Sequence, residues 1–542
     1  MTTRILKLAA LLATPLAAAA CAGYGDDASG ASFDGDFGGE TGGGAGRDDG
    51  GGAGGGGGEF EPPEETYALT GPTPSRDFVF IANTTRGTLA KVALSGDAIQ
   101  ITTVRVGALP EIVRTHPIEN TAVVLNTGSD SVSIVRAAPI GEDDEVLTLD
   151  IVPACNRLEL SPAGELAFAW YDNRVAEPGD IPGSLSELSV IDLTEGSEVV
   201  HQLSVGVNIR DVVYDETGET AFIITDEGVS PIAIADIGGD RFVPPIRLDE
   251  DAVGTVGTDR EVLVTGDGTL AVVRTAADTT LRVVELDGGA ARELEFDIAP
   301  SDVDLVPGEN AVLVSLRGES AVALVDLDDL VSGELAPVSE FVVDTHPVSA
   351  SVISDEGTNA LLWANHSADE VPFVTWLTLD GRDLQTFNVR KGVRFAELAP
   401  GGGVALVVHT KQPGEPVAGE PEADIIARSH GFTALDLDRG VVRLVRTPAT
   451  PSEIAFTEDG GHAFVLTADQ ATAARSVVWT DLTTFQTEQL DFDRLPEHVG
   501  VVPGAGVVYV SQIHELGRIA FIDVETGEIR EITGFELNGL IE

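Results

Sequence analysis

The 542 residues are 43% apolar but only 5% aromatic, so any core must be built from Val, Ile, Leu and Ala rather than from large rings. With 89 acidic residues against 32 basic, the formal charge is −57; such a chain repels phosphate backbones, which excludes nucleic acid as a partner. The two cysteines, Cys21 and Cys155, lack the spacing of a zinc or haem site, and no cofactor is expected.

Residues 1–20 read as an export signal. Arg4 and Lys7 precede an apolar run, Leu8 to Ala20, that is too short to span a bilayer and ends in small residues. Cys21 directly after Ala18-Ala19-Ala20 resembles a bacterial lipoprotein signal, although Ala18 stands where that pattern prefers leucine. The resemblance implies cleavage before Cys21, acylation of its sulfur and new amino terminus and, with Ala22 next, the outer membrane. Ordinary secretion is the alternative. Residues 21–65 follow as a Gly- and acid-rich linker, with twelve glycines in the eighteen positions from Thr41 to Gly58. Such a segment cannot offset its chain entropy by burial and is expected to be disordered, a tether holding a folded body off the membrane.

From residue 66 to 542 one pattern repeats. A seven-residue turn frame, clearest as Ser161-Pro162-Ala163-Gly164-Glu165-Leu166-Ala167, lies between two short apolar runs. It starts at His116, Ser161, Asp215, Thr265, Val306, Ser354, Ala399, Thr457 and Val502, at intervals of 41 to 58 residues. A polar turn between apolar runs is a hairpin, and hairpins recurring with several strands per period specify a β-propeller. Each unit reads as strands a to d, with the turn frame joining a to b. Strand c is the most regular, as in Leu188-Ser189-Val190-Ile191-Asp192 and Arg518-Ile519-Ala520-Phe521-Ile522-Asp523. Ten c strands against nine turn frames predict ten units, read as one large ring rather than two smaller ones. The first unit begins at strand b (Phe78 to Asn83), so its a strand must come from Glu65–Thr70 or from the segment after Gly534, which would clasp the ring shut. The unit resembles the YVTN-type (YncE-like) repeats of bacterial envelope propellers, related in architecture to WD40 repeats. The pieces that carry the resemblance are Phe80-Ile81-Ala82-Asn83, Leu188-Ser189-Val190-Ile191-Asp192, Val106-Gly107-Ala108-Leu109-Pro110 and Ser161-Pro162-Ala163-Gly164. It implies a propeller and no particular activity.

Propeller ligands meet the mouth where d–a and b–c loops converge. The positions five and four before each turn frame are eighteen slots at the start of strand a. They hold Arg157, Arg210, Arg260 and Arg394, six acids (Glu111, Asp211, Glu261, Asp302, Glu453, Glu497) and His498. Arginine's planar fork suits a carboxylate, phosphate or sulfated group. The competing explanation is that these charges pair between adjacent units and tie the ring together. His366, His409 and His514 follow b strands and join the mouth candidates, but no two have metal-ligand spacing and no metal site is expected. The b–c loops Tyr171–Glu187 and His409–Gly431 are much longer than the rest, and long loops on one face of a scaffold are where binding concentrates. Cys155 fills a corner that proline occupies in other units.

The reading is a lipid-anchored, non-catalytic envelope propeller that binds a protein, peptide or glycan. Two alternatives stand beside it. One is a lactonase- or hydrolase-like propeller with a channel-bound divalent cation held by Glu and His; the other is a purely structural envelope protein.

Overall fold

The recurring turn is closed by its own first residue. In its clearest copy the Ser161 amide donates to Leu166 O (2.9 Å) and the Leu166 amide donates back to Ser161 Oγ (3.0 Å). Thr265 and Thr457 repeat the second bond through their hydroxyls, to Leu270 N (3.1 Å) and His462 N (2.9 Å). In six of the nine copies the fourth residue is a left-handed glycine, Gly164 at φ 77° in the clearest. Gly357 is further restricted, because a Cβ there would lie 2.4 Å from Pro307 O in the turn of the preceding unit.

The computed structural model describes residues 67–94, 99–139, 141–176, 181–239, 241–249, 260–333, 338–365, 371–381 and 383–534. By contacts the chain divides into residues 1–65 and 66–542; the signal, Cys21 and the tether lie outside the described residues. In the second unit the strands form ten antiparallel sheets, each with order a-b-c-d in sequence. We call these blades 1 to 10, and the protein is a ten-bladed β-propeller. Neighbouring a strands touch, so they form the inner wall. Blade 3 alone has a fifth strand, Arg241–Phe242, which leaves the c–d connection of blade 4 and pairs in parallel with the outer strand Val199–Ser204.

What holds the ring is packing between blades. The buried apolar residues fall into ten clusters, and each cluster joins two adjacent blades. Between blades 1 and 2 it contains Phe78, Phe80 and Leu89 against Val113, Ala122 and Val124. Strands b and c are buried on both faces because a blade lies on either side, so they read as near-continuous apolar runs rather than alternating ones. Buried ion pairs add specific ties. Lys91 in blade 1 reaches Asp144 of blade 2 at 2.5 Å and donates to Ala138 O, with both charged side chains under 5% exposed.

The tenth cluster closes the circle, setting Val79, Ile81 and Val92 of blade 1 against Val502, Tyr509 and Phe521 of blade 10. Of the two sources expected for the first a strand, the N-terminal one is correct, slightly further along than anticipated. Thr73–Pro74 pairs with Val79 and Phe80, and Leu69 bridges to Asn83. The inner position of blade 1 is filled by this segment, and the residues after Gly534, the other source, lie outside the described residues. Among the described residues, closure relies on side chains. Tyr509 donates its hydroxyl to Pro72 O (3.1 Å), and Gly71 lies where a Cβ would come within 3.2 Å of the His498 ring. Fully burying one large apolar side chain is worth roughly 1.5–3 kcal/mol, against about 1 kcal/mol net for one hydrogen bond, so packing dominates the seam.

Two substitutions weigh these terms. Phe521→Ala, in the closing cluster, is expected to cost about 3–5 kcal/mol and Tyr509→Phe about 1 kcal/mol, read as falls in urea midpoint. Equal falls would contradict the dominance of packing.

Candidate functional site

The mouth is the face formed by d–a and b–c loops, and its most organised part spans blades 3 to 5. At its centre is Asp172, the second residue after strand b of blade 3 (Leu166–Trp170), with a fully buried carboxylate. Arg174 folds back on it, its Nε at 3.1 Å from both oxygens and Nη2 at 2.8 Å from Oδ2. Burial opposes charge on Asp172, but the bonds from Arg174 prevail and hold its carboxyl below the usual range; the same pairing raises Arg174. Arg210, at the start of blade 4, lies 3.6 Å from Asp172 Oδ1 and forms a fork with Asp226 (2.6 and 2.7 Å). Its Nη1 also donates to Asn173 Oδ1 (2.7 Å). Asn208, left-handed at φ 58°, is pinned through its amide to Asp226 Oδ2. Arg260 of blade 5 continues the series, 3.2 Å from both Asp226 O and Asp249 Oδ2. Burial lowers its basicity.

Three of the four arginines expected at the mouth thus come together on consecutive blades, and the fourth does not. Arg394 starts strand a of blade 8 (Val393–Leu398), five blades round the ring, and is exposed with no ion pair among the described residues. Arg157 is 3.9 Å from Asp172, makes no hydrogen bond among the described residues, and has a 42% exposed side chain. Arg210 and Arg260 do tie neighbouring blades, as the competing explanation required. Arg157 does not. Sequence reasoning missed Asp172, Arg174 and Asp226, although an acid in the first two positions after strand b of two consecutive units was visible.

The histidines divide. His409 is 2% exposed, with its ring nitrogens at Gly392 O (3.2 Å) and Thr433 Oγ1 (2.7 Å); burial pushes it down to about 3. It holds the blade together rather than offering a ligand. His498 lies 3.7 Å from Glu453 of blade 9, which raises its basicity. His514 shapes its own turn by accepting from the Leu516 amide. His366 lies outside the described residues. The Cys155 thiol is buried, donates to Val152 O and is pushed up to about 12, so it is an inert corner residue.

The acids at the start of strand a have a structural role on two blades. An inner strand has no neighbour toward the channel, so some of its amides need acceptors. Asp302 of blade 6 takes the Ser351 amide of blade 7 (2.8 Å), and Glu453 of blade 9 takes the Val499 amide of blade 10 (2.9 Å). Asp304 accepts from Ser351 Oγ beside Asp302; burial and its charged neighbour raise it well above the carboxylate range. Burial, with Glu453 nearby, pushes Glu397 of blade 8 up to about 7. Among the described residues no three His, Cys, Asp or Glu side chains are grouped to hold a metal ion.

The described residues of the two long loops pack against the ring. That of blade 8 contains a short helix, Glu422–Arg428, whose final carbonyls are gathered by the buried Lys391 ammonium: Ile426 O at 2.6 Å, Ala427 O at 3.1 Å and Ser429 O at 2.7 Å. That of blade 3 packs Gly183 on Tyr171, and Leu185 O accepts the Asn208 amide. It leaves Val175, Ile181 and Leu185 exposed, Ile181 at 82%. Blades 3 and 8 are half a ring apart, so these loops stand on opposite sides of the mouth.

No protein-family model matches the sequence, and no curated protein does. Solved structures do resemble the fold. A eukaryotic initiation factor aligns over 75% of this chain and 94% of its own at 14% identity and TM-score 0.46. The dihydro-heme d1 dehydrogenase NirN, solved with DHE, aligns over 76% and 73% at 13% and 0.40. The Cps50 (Swd1) beta-propeller domain of Myceliophteria thermophila aligns over 60% and 96% at 14% and 0.32. Nothing about ligand or activity transfers at these values.

Two outcomes follow from this geometry. Lys391→Met should leave the ring folded but speed amide hydrogen exchange across Glu422–Arg428 by at least about tenfold, since three carbonyls lose their shared donor. Glu397 titrates higher in the ring than in the unfolded chain, so its contribution to stability is complete below the unfolded value and lost as pH rises through about 7. The stability of Glu397→Gln relative to the parent protein should therefore increase between about pH 5 and 8. A gap independent of pH would refute the assignment.

Proposed function

We propose that this chain is a lipid-anchored envelope propeller that holds a macromolecular ligand at its mouth and performs no chemistry on it. The observation that carries this reading is the placement of the two elaborated b–c loops, on blades 3 and 8, across the channel from one another. Each is accompanied by an exposed arginine at the start of strand a, Arg157 and Arg394. The opposite face carries tight turns, four of the nine frames closed by their own hydroxyls, a scaffold with little to offer a partner. The side-chain bonds that fix Asp172, Arg174 and Arg210 at the mouth support binding by a rigid surface, with little entropy left to lose there. Acylation of Cys21 and a Gly-rich tether would present that surface away from the outer membrane.

Two experiments test the reading. With a photo-crosslinking residue at Val175 or Val417 on the mouth, cells should yield one discrete adduct, absent when the residue is at Glu165 or Glu216 on the other face. Adducts of equal yield from both faces would refute a mouth-specific partner. Cys21→Ser should move the protein from the membrane to the soluble fraction; unchanged membrane association would refute the anchor.

A further inference from the structure

The Arg–Asp network on blades 3 and 4 is built asymmetrically. Three guanidiniums, Arg157, Arg174 and Arg210, surround one buried carboxylate, Asp172. Arg210 is spent: its fork is on Asp226, its remaining nitrogen on Asn173, and it is 16% exposed. Arg174 is fixed by Asp172 and donates to Arg210 O (2.8 Å), yet its side chain stays 41% exposed. Arg157 is as exposed and only grazes Asp172. One fixed guanidinium, Arg174, and one that only approaches, Arg157, thus share one anchored carboxylate, with donors left toward solvent. This occurs in a chain whose net charge is −57, where exposed cations are scarce.

The surroundings narrow the ligand. Asp172, Asp226 and Asp211 all lie close, so a doubly charged phosphate would meet more repulsion than a single carboxylate. The same loop presents Val175, next to Arg174 in sequence, and further along Ile181 and Leu185 to solvent. Exposed apolar groups on the loop that carries the Arg174 guanidinium match a side-chain carboxylate flanked by apolar side chains, as in an acidic peptide segment, better than a hydroxyl-covered glycan.

We propose that Arg157 and Arg174 form a carboxylate subsite, with Val175, Ile181 and Leu185 as its apolar border, and that its ligand is an acidic peptide segment. This rests on the mouth being the binding face, and it specifies what is bound there.

The probe is the tripeptide Leu-Glu-Leu, acetylated and amidated, compared with Leu-Gln-Leu and with inorganic phosphate, and followed by NMR of arginine Nε–H groups in the full folded body. The glutamate peptide should shift the Arg157 and Arg174 signals saturably and bind at least about tenfold more tightly than either comparison compound. Arg157→Gln, which removes no hydrogen bond of the fold, should weaken it about tenfold at an unchanged urea midpoint. Arg394→Gln should not affect it. Equal binding of the glutamate and glutamine peptides, phosphate binding as tightly as the glutamate peptide, or no saturable shift would each overturn the subsite. These outcomes are separable from the broader reading: mouth-specific crosslinks that survive Arg157→Gln would remove the subsite alone, and the absence of any mouth-specific crosslink in the parent protein would remove both.

Discussion

Every blade of this protein has two apolar faces, and only another blade can cover them. Strands b and c carry the burden. Runs such as Ala122-Val123-Val124-Leu125 and Val507-Val508-Tyr509-Val510 send alternate side chains into the clusters on either side. A blade at the end of an open stack would leave one such face in water. The stack therefore closes on itself, and closing it places ten a strands around a channel and ten pairs of d–a and b–c loops on one rim. The position of the mouth is a consequence of where the oily faces are hidden.

Closure without strand exchange gives the ring a distinct seam. Each blade is built from consecutive strands, so no covalent connection crosses from blade 10 to blade 1. The inner strand of blade 1 is split, with Thr73 and Pro74 paired at one end and Leu69 bridged, beside a Thr70 N to Ala82 O bond (2.9 Å), at the other, whereas the other inner strands run unbroken for four residues or more. Tyr509 and the packing around it hold that split segment against blade 10. Such a seam suffices because the apolar cluster there resembles those at the other interfaces in residue type and burial.

Much of this was legible in the sequence. The turn frame at Ser161 and its eight copies marked every a–b hairpin from blade 2 onward, because a short polar turn between apolar runs, in most copies with a left-handed glycine, leaves a local signature. The first inner strand was harder to place, since a two-residue strand ending in Pro74 has no period to detect. At the mouth, counting back from the turns located Arg157, Arg210 and Arg260, but whether they converge depends on which blades adjoin and where loops fold. Asp172 and Arg174 were hidden for that reason: the partner that organises them is supplied by a loop returning on itself, a feature with no periodicity. The acids of strand a looked functional because they recur, whereas Asp302 and Glu453 recur because inner strands need acceptors.

The account stands on one continuous ring, and the distance across its seam tests it most directly. Spin labels on the exposed turns of blades 1 and 10, through Arg76→Cys and Ala505→Cys with Cys21 replaced by serine, report that distance by pulsed electron resonance. The closed ring predicts a short, narrow distribution like that between Glu119→Cys and Glu165→Cys on blades 2 and 3. A broad or much longer distribution across the seam, with the reference pair still narrow, would contradict closure and with it the mouth.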